Sequence, residues 1–285
     1  EVNIEKIGLS CSSENDALES LKKWFPYNKG GEGRRWYGNA DDIVNFENKD
    51  KTICDYIDST PGVKVKSNGR VINRERFFLE SISWSKISSG RIALRNYPQG
   101  FIFDVAGCSI FSDHLSLMNY LGFMNSVVCF RILECMSPTL NFEVGQINNL
   151  PIRTLKPDTL KRSINVSEAL IAKSKSDWDS FETSWDFTSL PLLNPNYLQS
   201  TLKGTYQRLR AHWREMTLEM QRLEEENNRI FIDAYGLPDE LTPEVPLNEI
   251  TLTCNPHCRY GNDKNVDEIE ALLLADTMRE LVSYA

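Results

Sequence analysis

The sequence has 285 residues, of which 41% are hydrophobic and 25% are charged, and its formal net charge is −8. This composition is ordinary for a water-soluble globular protein of one large or two medium domains, and it excludes a disordered chain. We find no signal peptide and no lipidation motif, and the seven cysteines have no framework spacing. We therefore expect a cytoplasmic protein with reduced thiols, not a disulfide-stabilised secreted one.

The charge is divided unevenly along the chain. Residues 20–100 carry 15 Lys and Arg against 9 Asp and Glu, a balance of +6, whereas residues 101–285 carry 16 against 26, a balance of −10. A basic first part on an acidic second part gives one face that attracts phosphate and another that keeps the protein in solution.

The first 155 residues are predicted to mix strands with one helix. Short β-rich segments, separated by Gly, Asn and Pro, predict strands over 43–46, 63–65, 77–82, 92–94 and 101–105. Ser112 and Asp113 predict the N-cap of a helix that continues to about Met136. Apolar residues surround this helix, but four polar residues interrupt it, so we predict a buried helix and not a membrane span.

The remainder is predicted to be helical, after a linker flanked by Pro151 and Pro157. Helices are expected over 158–174, 197–234 and 266–282. In the longest helix, apolar residues alternate at spacings of four and three, with Asn227 as a polar position in this heptad seam. A bundle within the chain is favoured over a dimerising coiled coil. The run 224–226 of three glutamates is interpreted as a solvated surface. The fold class is thus α+β, with domains 1–155 and 156–285.

A stretch rich in cations and aromatic rings occupies residues 22–39. Its cations alternate with planar rings: Lys22, Lys23, Lys29, Arg34 and Arg35 with Trp24, Phe25, Tyr27, Trp36 and Tyr37. Three glycines in the same stretch let the backbone approach a partner closely. Because cations neutralise phosphates and rings stack on bases, this pattern favours nucleic-acid binding, although a surface loop over a few buried rings is the plainer alternative.

A second basic block surrounds Gly90. It places hydroxyl groups and cations close together in the sequence, namely Lys86, Ser88, Ser89, Arg91 and Arg95. Hydroxyls and lysines of this kind bind phosphates, and arginines in bidentate contact read guanine. At strand spacing Arg91 and Arg95 share a face, so we expect them to act together.

The aromatic and basic stretch carries a resemblance to a known family. Residues 23–39, KWFPYNKGGEGRRWYGN, resemble the opening of the target-recognition region of PglX-type adenine-specific DNA methyltransferases, which belong to the phage-defence systems called BREX. Further blocks match in the same order: 83–95 (SWSKISSGRIALR), 100–111 (GFIFDVAGCSIF), 137–152 (SPTLNFEVGQINNLPI), 177–187 (DWDSFETSWDF) and 227–246 (NNRIFIDAYGLPDELTPEVP). The type IIG restriction-modification enzymes are similar more distantly.

This resemblance implies a DNA-specificity fragment. Residues 1–155 would be the target-recognition domain that clamps double-stranded DNA. An N-terminal methyltransferase domain of the same polypeptide, outside this sequence, would use S-adenosylmethionine to methylate the adenine, and we expect no cofactor in the fragment itself. The candidate DNA-binding residues are Lys22, Lys23, Tyr27, Lys29, Arg34, Arg35, Trp36, Lys86, Ser88, Ser89, Arg91 and Arg95. The alternative is a protein-interaction module whose acidic bundle docks other defence-system subunits.

Two short strings imitate an adenine methyltransferase site. Residues 104–109 are similar to the acidic, glycine-rich turn that holds S-adenosylmethionine, and residues 194–197, Asn-Pro-Asn-Tyr, to the tetrapeptide that holds a flipped adenine. The first string has one glycine where close approach of the cofactor needs two, and the second follows a proline-containing segment that makes a poor central strand. We therefore disfavour a stand-alone enzyme.

A zinc site is also considered at the string 254–258, through Cys254, His257 and Cys258. Structural zinc takes four ligands, usually in two closely spaced pairs, and no second pair follows. We interpret this string as a turn and expect no bound metal.

Overall fold

The structure, a computed structural model, describes residues 2–31, 33–87, 90–136, 141–261 and 263–285. The strands in these ranges are β1 (Trp24–Asn28), β2 (Ile43–Asn45), β3 (Ser81–Ser85), β4 (Leu94–Tyr97), β5 (Ile102–Phe103) and β6 (Gly107–Ile110). The helices are α1 (Glu14–Glu19), α2 (Lys51–Ser59), α3 (Ser67–Arg70), α4 (His114–Met124), α5 (Val127–Met136), α6 (Val144–Asn148), α7 (Pro157–Trp178), α8 (Leu202–Tyr235), α9 (Pro256–Arg259) and α10 (Val266–Tyr284). Small sheets followed by helices confirm the α+β class.

The strands form two three-stranded sheets. In one sheet β1 is central, antiparallel to β2 and parallel to β5. In the other sheet β3 is central, antiparallel to both β4 and β6. A cluster of phenylalanine rings in edge-to-face contact fixes the first sheet, with Phe25 of β1 lying 5.9 Å from Phe46 and 5.7 Å from Phe78.

The strand predictions are partly wrong. Those for 43–46 and 101–105 are confirmed by β2 and β5, whereas those for 77–82 and 92–94 begin before β3 and β4 do. Residues 63–65 form no strand, because the two lysines that flank Val65 are exposed and no neighbouring strand pairs with the segment. Strand β1 lies in the stretch rich in cations and rings, where no strand was predicted, and Phe25, Pro26 and Asn28 of this strand are buried.

The helix predicted over residues 112–136 is two helices, α4 and α5. The N-cap is confirmed, because the Asp113 carboxylate accepts the backbone N–H of Ser116 at 3.0 Å. The break lies at Asn125, whose side chain accepts the N–H of Leu94 and donates to its C=O, both at 3.0 Å. Asn125 thus bonds β4 in the manner of a neighbouring strand and ends the helix. Within the described residues, no helix is long and apolar enough to cross a membrane.

The long helix is α8, whose 34 residues extend about 50 Å. Most of its heptad seam is buried inside the chain, against α4, α5 and α7, which confirms the intramolecular bundle. Asn227 is fully buried and donates to the C=O of Gly122 on α4 at 2.8 Å. Gly122 is needed there, because a Cβ at this position would lie 2.8 Å from Ser167 Oγ. The polar seam position therefore fixes α8 against α4.

One large buried cluster includes residues from both sides of the boundary predicted at residue 155. Trp36, Trp84 and Leu94 from the sheets belong to it, and so do Trp213 and Leu223 from α8. The division into domains 1–155 and 156–285 stays a prediction. A continuous core joins the two segments. We call residues 1–155 the sheet half and residues 156–285 the helical half.

We predict that Leu209→Asp destabilises the monomer, because Leu209 is buried in the bundle and a carboxylate there has no partner. The matched control is Leu218→Asp on the same helix, where the side chain is exposed. Urea unfolding followed by circular dichroism should show a loss of at least about 3 kcal/mol for the first variant and little change for the second. A folded, equally stable Leu209→Asp variant of smaller oligomeric size would instead place the seam between chains.

Candidate nucleic-acid interface

The carboxyl ends of β1, β3 and β5 meet at one place, where three loops come together. We call this surface the loop edge and define it as residues 29–31, 85–87 and 104–106. Ser85 Oγ donates to the C=O of Gly31 at 2.7 Å, and the backbone N–H of Lys86 donates to the C=O of Ala106 at 3.1 Å. Gly30 has a φ of +87°, and a Cβ on it would lie 3.0 Å from Ala106 O. Only glycine allows the loops to pack this closely.

The loop edge presents cations and apolar side chains to solvent. Lys29 is exposed and forms no ion pair with the described residues. Lys86 is half-buried, with Nζ 3.2 Å from Glu143 Oε1. Ile87 and Val105 are each 71% exposed, although both are large apolar residues. Exposed apolar side chains beside lysines on closely packed glycine loops are suited to a partner with phosphates and a groove. The sequence predictions missed Ile87 and Val105, although each lies among small and polar residues typical of a loop.

Tyr27 and Asp104 support the loop edge from behind. The Tyr27 hydroxyl donates to Asp104 Oδ2 at 2.6 Å, and Asp104 Oδ1 accepts the backbone N–H groups of Ala106 and Gly107 at 2.8 and 3.3 Å. Burial, together with the Asp104 carboxylate, raises the pKa of the Tyr27 phenol well above its usual value. Both Asp104 oxygens are thus engaged, Oδ2 by Tyr27 of β1 and Oδ1 within the turn that leads into β6.

Lys22 and Lys23 lie at the opposite end of β1. Lys22 donates to the backbone C=O of Glu5, and Lys23 Nζ is 3.8 Å from Glu47 and lies over the Trp24 ring. Both remain partly or largely exposed. They therefore lie about a strand length, roughly 16 Å, from the loop edge.

Arg34 is directed into the helical half. One Nη of its guanidinium lies 2.7 Å from Asp177 Oδ2 at the end of α7, the other donates to Thr253 Oγ1 at 2.8 Å, and the group lies 5.2 Å over the Trp178 ring. The Asp177 carboxylate also accepts the N–H groups of Thr253 and Cys254. Since Arg34 and Asp177 are both buried, this pair joins the two halves and does not face solvent.

Arg35 and Trp36 meet a buried carboxylate from α8. Arg35 Nη2 is 2.5 Å from Glu224 Oε2, and the Trp36 indole N–H donates to Glu224 Oε1 at 2.8 Å. Burial raises the pKa of the Glu224 carboxyl, and the Arg35 guanidinium offsets part of this effect. The interpretation of residues 224–226 as a solvated surface is wrong for Glu224, because this residue follows Leu223 on the buried face of α8 and neutralises Arg35.

Arg91 and Arg95 do not share a face, contrary to the prediction. Arg91 Nη1 lies 2.5 Å from Glu249 Oε2, and the guanidinium lies 4.5 Å from the centre of the Phe130 ring. Arg95 is fully buried and donates to the C=O of Arg34 at 3.1 Å. The two side chains therefore point to different surroundings, because Arg91 precedes β4 and does not share its strand geometry.

Of the predicted DNA-binding residues, the structure brings Lys29, Lys86 and the supporting Tyr27 together at the loop edge. It places Arg34, Arg35, Trp36 and Arg95 inside the protein, so we do not carry them into a contact surface. Ser88 and Ser89 lie outside the described residues.

The other two candidate strings have local structural roles. The Asn194 side chain accepts the N–H of Asn196 at 3.0 Å and closes a turn, and the Tyr197 ring lies 5.1 Å from the His212 ring of α8. Cys254 is buried beside Asp177, and burial raises the pKa of its thiol. In the part of the chain that the structure describes, no three His, Cys, Asp or Glu residues are grouped as metal ligands.

Comparison with known proteins finds relatives of one kind. Over 248 residues, 86% of this chain, the sequence is 40% identical to the adenine-specific methyltransferase PglX of Lacticaseibacillus casei (strain Zhang), of which it covers 20%. Over 275 residues, 95% of this chain, it is 31% identical to the adenine-specific methyltransferase BrxX of Escherichia coli O9:H4 (strain HS), of which it covers 21%. No family model matches the chain.

The homologues of this chain are adenine-specific methyltransferases. The chain spans about a fifth of the length of the curated relatives it matches. This confirms the resemblance to PglX-type proteins and agrees with the expectation of a fragment. The target-recognition role stays a prediction.

We predict that Arg35→Met destabilises the fold by about 3–5 kcal/mol, because it leaves the buried Glu224 carboxylate without its counter-ion. The matched control is Arg222→Met on α8, which removes an exposed pair with Glu219 and should change little. Burial raises the folded-state pKa of Glu224, and this effect is stronger without Arg35. The deficit should therefore be smallest in acid, where the carboxyl is protonated, and should grow as the pH rises.

Urea unfolding at pH 5 and pH 8 measures both effects. Adding Glu224→Gln to Arg35→Met should recover part of the loss at pH 8, because a neutral amide needs no counter-ion. Equal stabilities of Arg35→Met and Arg222→Met at both pH values would contradict the buried pair.

Proposed function

We propose that this chain is the DNA-recognition part of an adenine-specific DNA methyltransferase, and that the loop edge is its contact surface for duplex DNA. The observation that carries the proposal is the loop edge itself, where Lys29, Lys86, Ile87 and Val105 converge on closely packed loops in a homologue of adenine-specific methyltransferases. The net charge of the whole chain opposes DNA binding, so an interface needs a local concentration of cations that have not been neutralised internally.

The loop edge offers two kinds of contact. Lys29 is exposed and can neutralise a phosphate, and Lys86 can replace its contact with Glu143 by a contact with a phosphate. Ile87 and Val105 can pack against sugars or enter between base steps, as apolar side chains do in proteins that bend DNA. Phosphate contacts fix the position of the protein on the duplex, and the apolar contacts make the deformation of the duplex easier.

The helical half would hold this surface in place. Arg34 and Arg35 tie the sheet half to α7 and α8 through Asp177 and Glu224, so the loop edge stands on a rigid support. An N-terminal methyltransferase domain of the same polypeptide would bind S-adenosylmethionine and methylate the adenine that is turned out of the duplex. Other defence-system subunits are possible further partners of the helical half.

We predict that the chain binds duplex DNA with an affinity that falls steeply as salt rises, and that Lys29→Ala with Lys86→Ala weakens this binding. Removing two phosphate contacts should reduce the slope of log affinity against log salt by about 2. Fluorescence anisotropy with a labelled duplex of about 20 base pairs at several salt concentrations measures this. The control variant Lys161→Ala with Lys203→Ala changes two exposed lysines of the helical half and should leave the slope unchanged.

The apolar contacts give an independent check. Ile87→Ser with Val105→Ser should weaken binding without changing the salt slope, because no charge is removed. Wild-type affinity that is absent, or indifferent to salt, would reject DNA recognition by this fragment and favour the protein-interaction module.

We also predict that the chain alone does not bind S-adenosylmethionine. The two Asp104 carboxylate oxygens accept from the Tyr27 hydroxyl and from the backbone N–H groups of its own turn, and Asn194 closes a local turn. Neither string therefore offers the free groups that the cofactor or a flipped adenine needs. Isothermal titration calorimetry decides this. Saturable binding that Asp104→Ala abolishes would overturn the assignment of residues 104–109 to the recognition domain.

A further inference from the structure

A second basic surface lies in residues 47–76, which extend from the first sheet and return to the aromatic cluster beneath it. We call this segment the arm. Phe46 precedes it and Phe77 follows it, and their rings meet 6.0 Å apart in the aromatic cluster under the first sheet. Within the arm, α2 and α3 contain no buried residue. The arm is thus attached at its root, and its two helices are exposed or half-buried.

Several interactions that hold the arm use acidic residues, either of the arm or of the neighbouring helix α1. At the root, Arg74 Nη2 lies 2.6 Å from Asp50 Oδ1, and Lys49 pairs with Glu14 at 3.3 Å. Farther out, the Asp58 carboxylate accepts the backbone N–H and the hydroxyl of Ser67 at 2.7 and 2.8 Å, which joins α2 to α3. The acidic groups are therefore engaged in shaping the arm.

Most cations in the second part of the arm have no ion-pair partner among the described residues. Residues 64–76 include five Lys and Arg and one Glu. Lys64, Lys66, Arg70 and Arg76 are all exposed, and none of them forms an ion pair with the residues that the structure describes. Elsewhere in the sheet half, Arg34, Arg35 and Arg91 are neutralised by carboxylates of the helical half. The arm thus concentrates exposed cations that have no ion-pair partner in the described part of the chain, in a protein of net negative charge.

Large apolar and aromatic side chains of the arm are also exposed, and two of them, Val65 and Ile72, lie between these cations in the sequence. Tyr56 is 71% exposed, Val65 50% and Ile72 56%. A chain segment that serves only as a solvated surface does not require three large apolar side chains in water. Exposed apolar groups bordered by exposed cations are suited to a partner that carries negative charge beside an apolar or stacked surface. Duplex DNA has both, in its phosphates and its base pairs.

The arm begins where β1 begins, since the Phe46 N–H donates to the C=O of Lys23 at 2.9 Å. The loop edge follows the other end of β1. Five strand residues separate the two, about 16 Å, which corresponds to about five base pairs of duplex. Lys22 and the 91%-exposed Leu21 lie at the arm's end of the strand. One duplex is thus long enough to reach both surfaces.

We propose that the arm is a second DNA contact, in which Lys64 and Arg70 neutralise phosphates beside the segment held by the loop edge, and Val65 and Ile72 pack against the duplex. This inference rests on the proposed function. The loop edge is the primary contact, and the arm holds the flanking DNA. Because each surface neutralises its own phosphates, each contributes its own part of the salt dependence of the binding affinity.

The test compares three double variants by fluorescence anisotropy on one labelled duplex of about 25 base pairs. They are Lys64→Ala with Arg70→Ala in the arm, Lys29→Ala with Lys86→Ala at the loop edge, and Lys161→Ala with Lys203→Ala as control. We expect the arm variant to bind about tenfold more weakly than the wild type at low salt, with a salt slope smaller by about 2. Its thermal melt should be unchanged, because neither side chain pairs with a described carboxylate.

The outcomes separate the two claims. If the loop-edge variant weakens binding and the arm variant behaves as the control does, the arm inference is wrong and the proposed function stands. If the wild type does not bind DNA at all, the proposed function is wrong and the arm inference is wrong with it. If only the arm variant weakens binding, the arm is the DNA contact and the loop edge is not.

Discussion

The structure depends on two adjacent arginines that enter the helical half from the sheet half. Arg34 pairs with Asp177 at the end of α7, and Arg35 pairs with Glu224 in the middle of α8. All four charged groups are buried, so each would be costly alone and is tolerated only with its partner. Trp36 adds its indole N–H to Glu224 and its ring to the core. The orientation of the sheets on the helices follows from these contacts.

The same pairs decide which surfaces remain available to a partner. The sheet half has an excess of cations in the sequence, but three of its arginines are neutralised by acidic residues of the helical half. Other cations of this half stay exposed in loops and in the arm, among them Lys29, Lys64 and Arg70, and form no ion pair with the residues that the structure describes. An overall negative charge is thus compatible with DNA binding, because the binding potential is set by the local arrangement of charges and not by their sum.

The sequence predicted those features that depend on local patterns. The apolar spacing along α8 predicted its buried seam, and Asp113 predicted the start of α4. The break at Asn125 was missed because its cause is a pair of hydrogen bonds to Leu94, a residue 31 positions away. The burial of Arg34 and Arg35 was also missed because its cause is distant in the sequence. Their partners Asp177 and Glu224 lie 143 and 189 positions further along, and without these carboxylates in view the two arginines were interpreted as phosphate ligands. Lys29 and Lys86 lie in loops whose surface position follows from glycine and serine composition, so the sequence could indicate them.

The most direct test of this account is a structure of the chain bound to a DNA duplex of about 25 base pairs. We predict that Ile87 and Val105 will lie in van der Waals contact with the duplex and Lys29 within hydrogen-bond distance of a phosphate, while Arg34 and Arg35 keep their contacts with Asp177 and Glu224. A complex in which the loop edge faces away from the DNA, or in which the Arg34 and Arg35 guanidinium groups leave their carboxylates to bind it, would contradict the account.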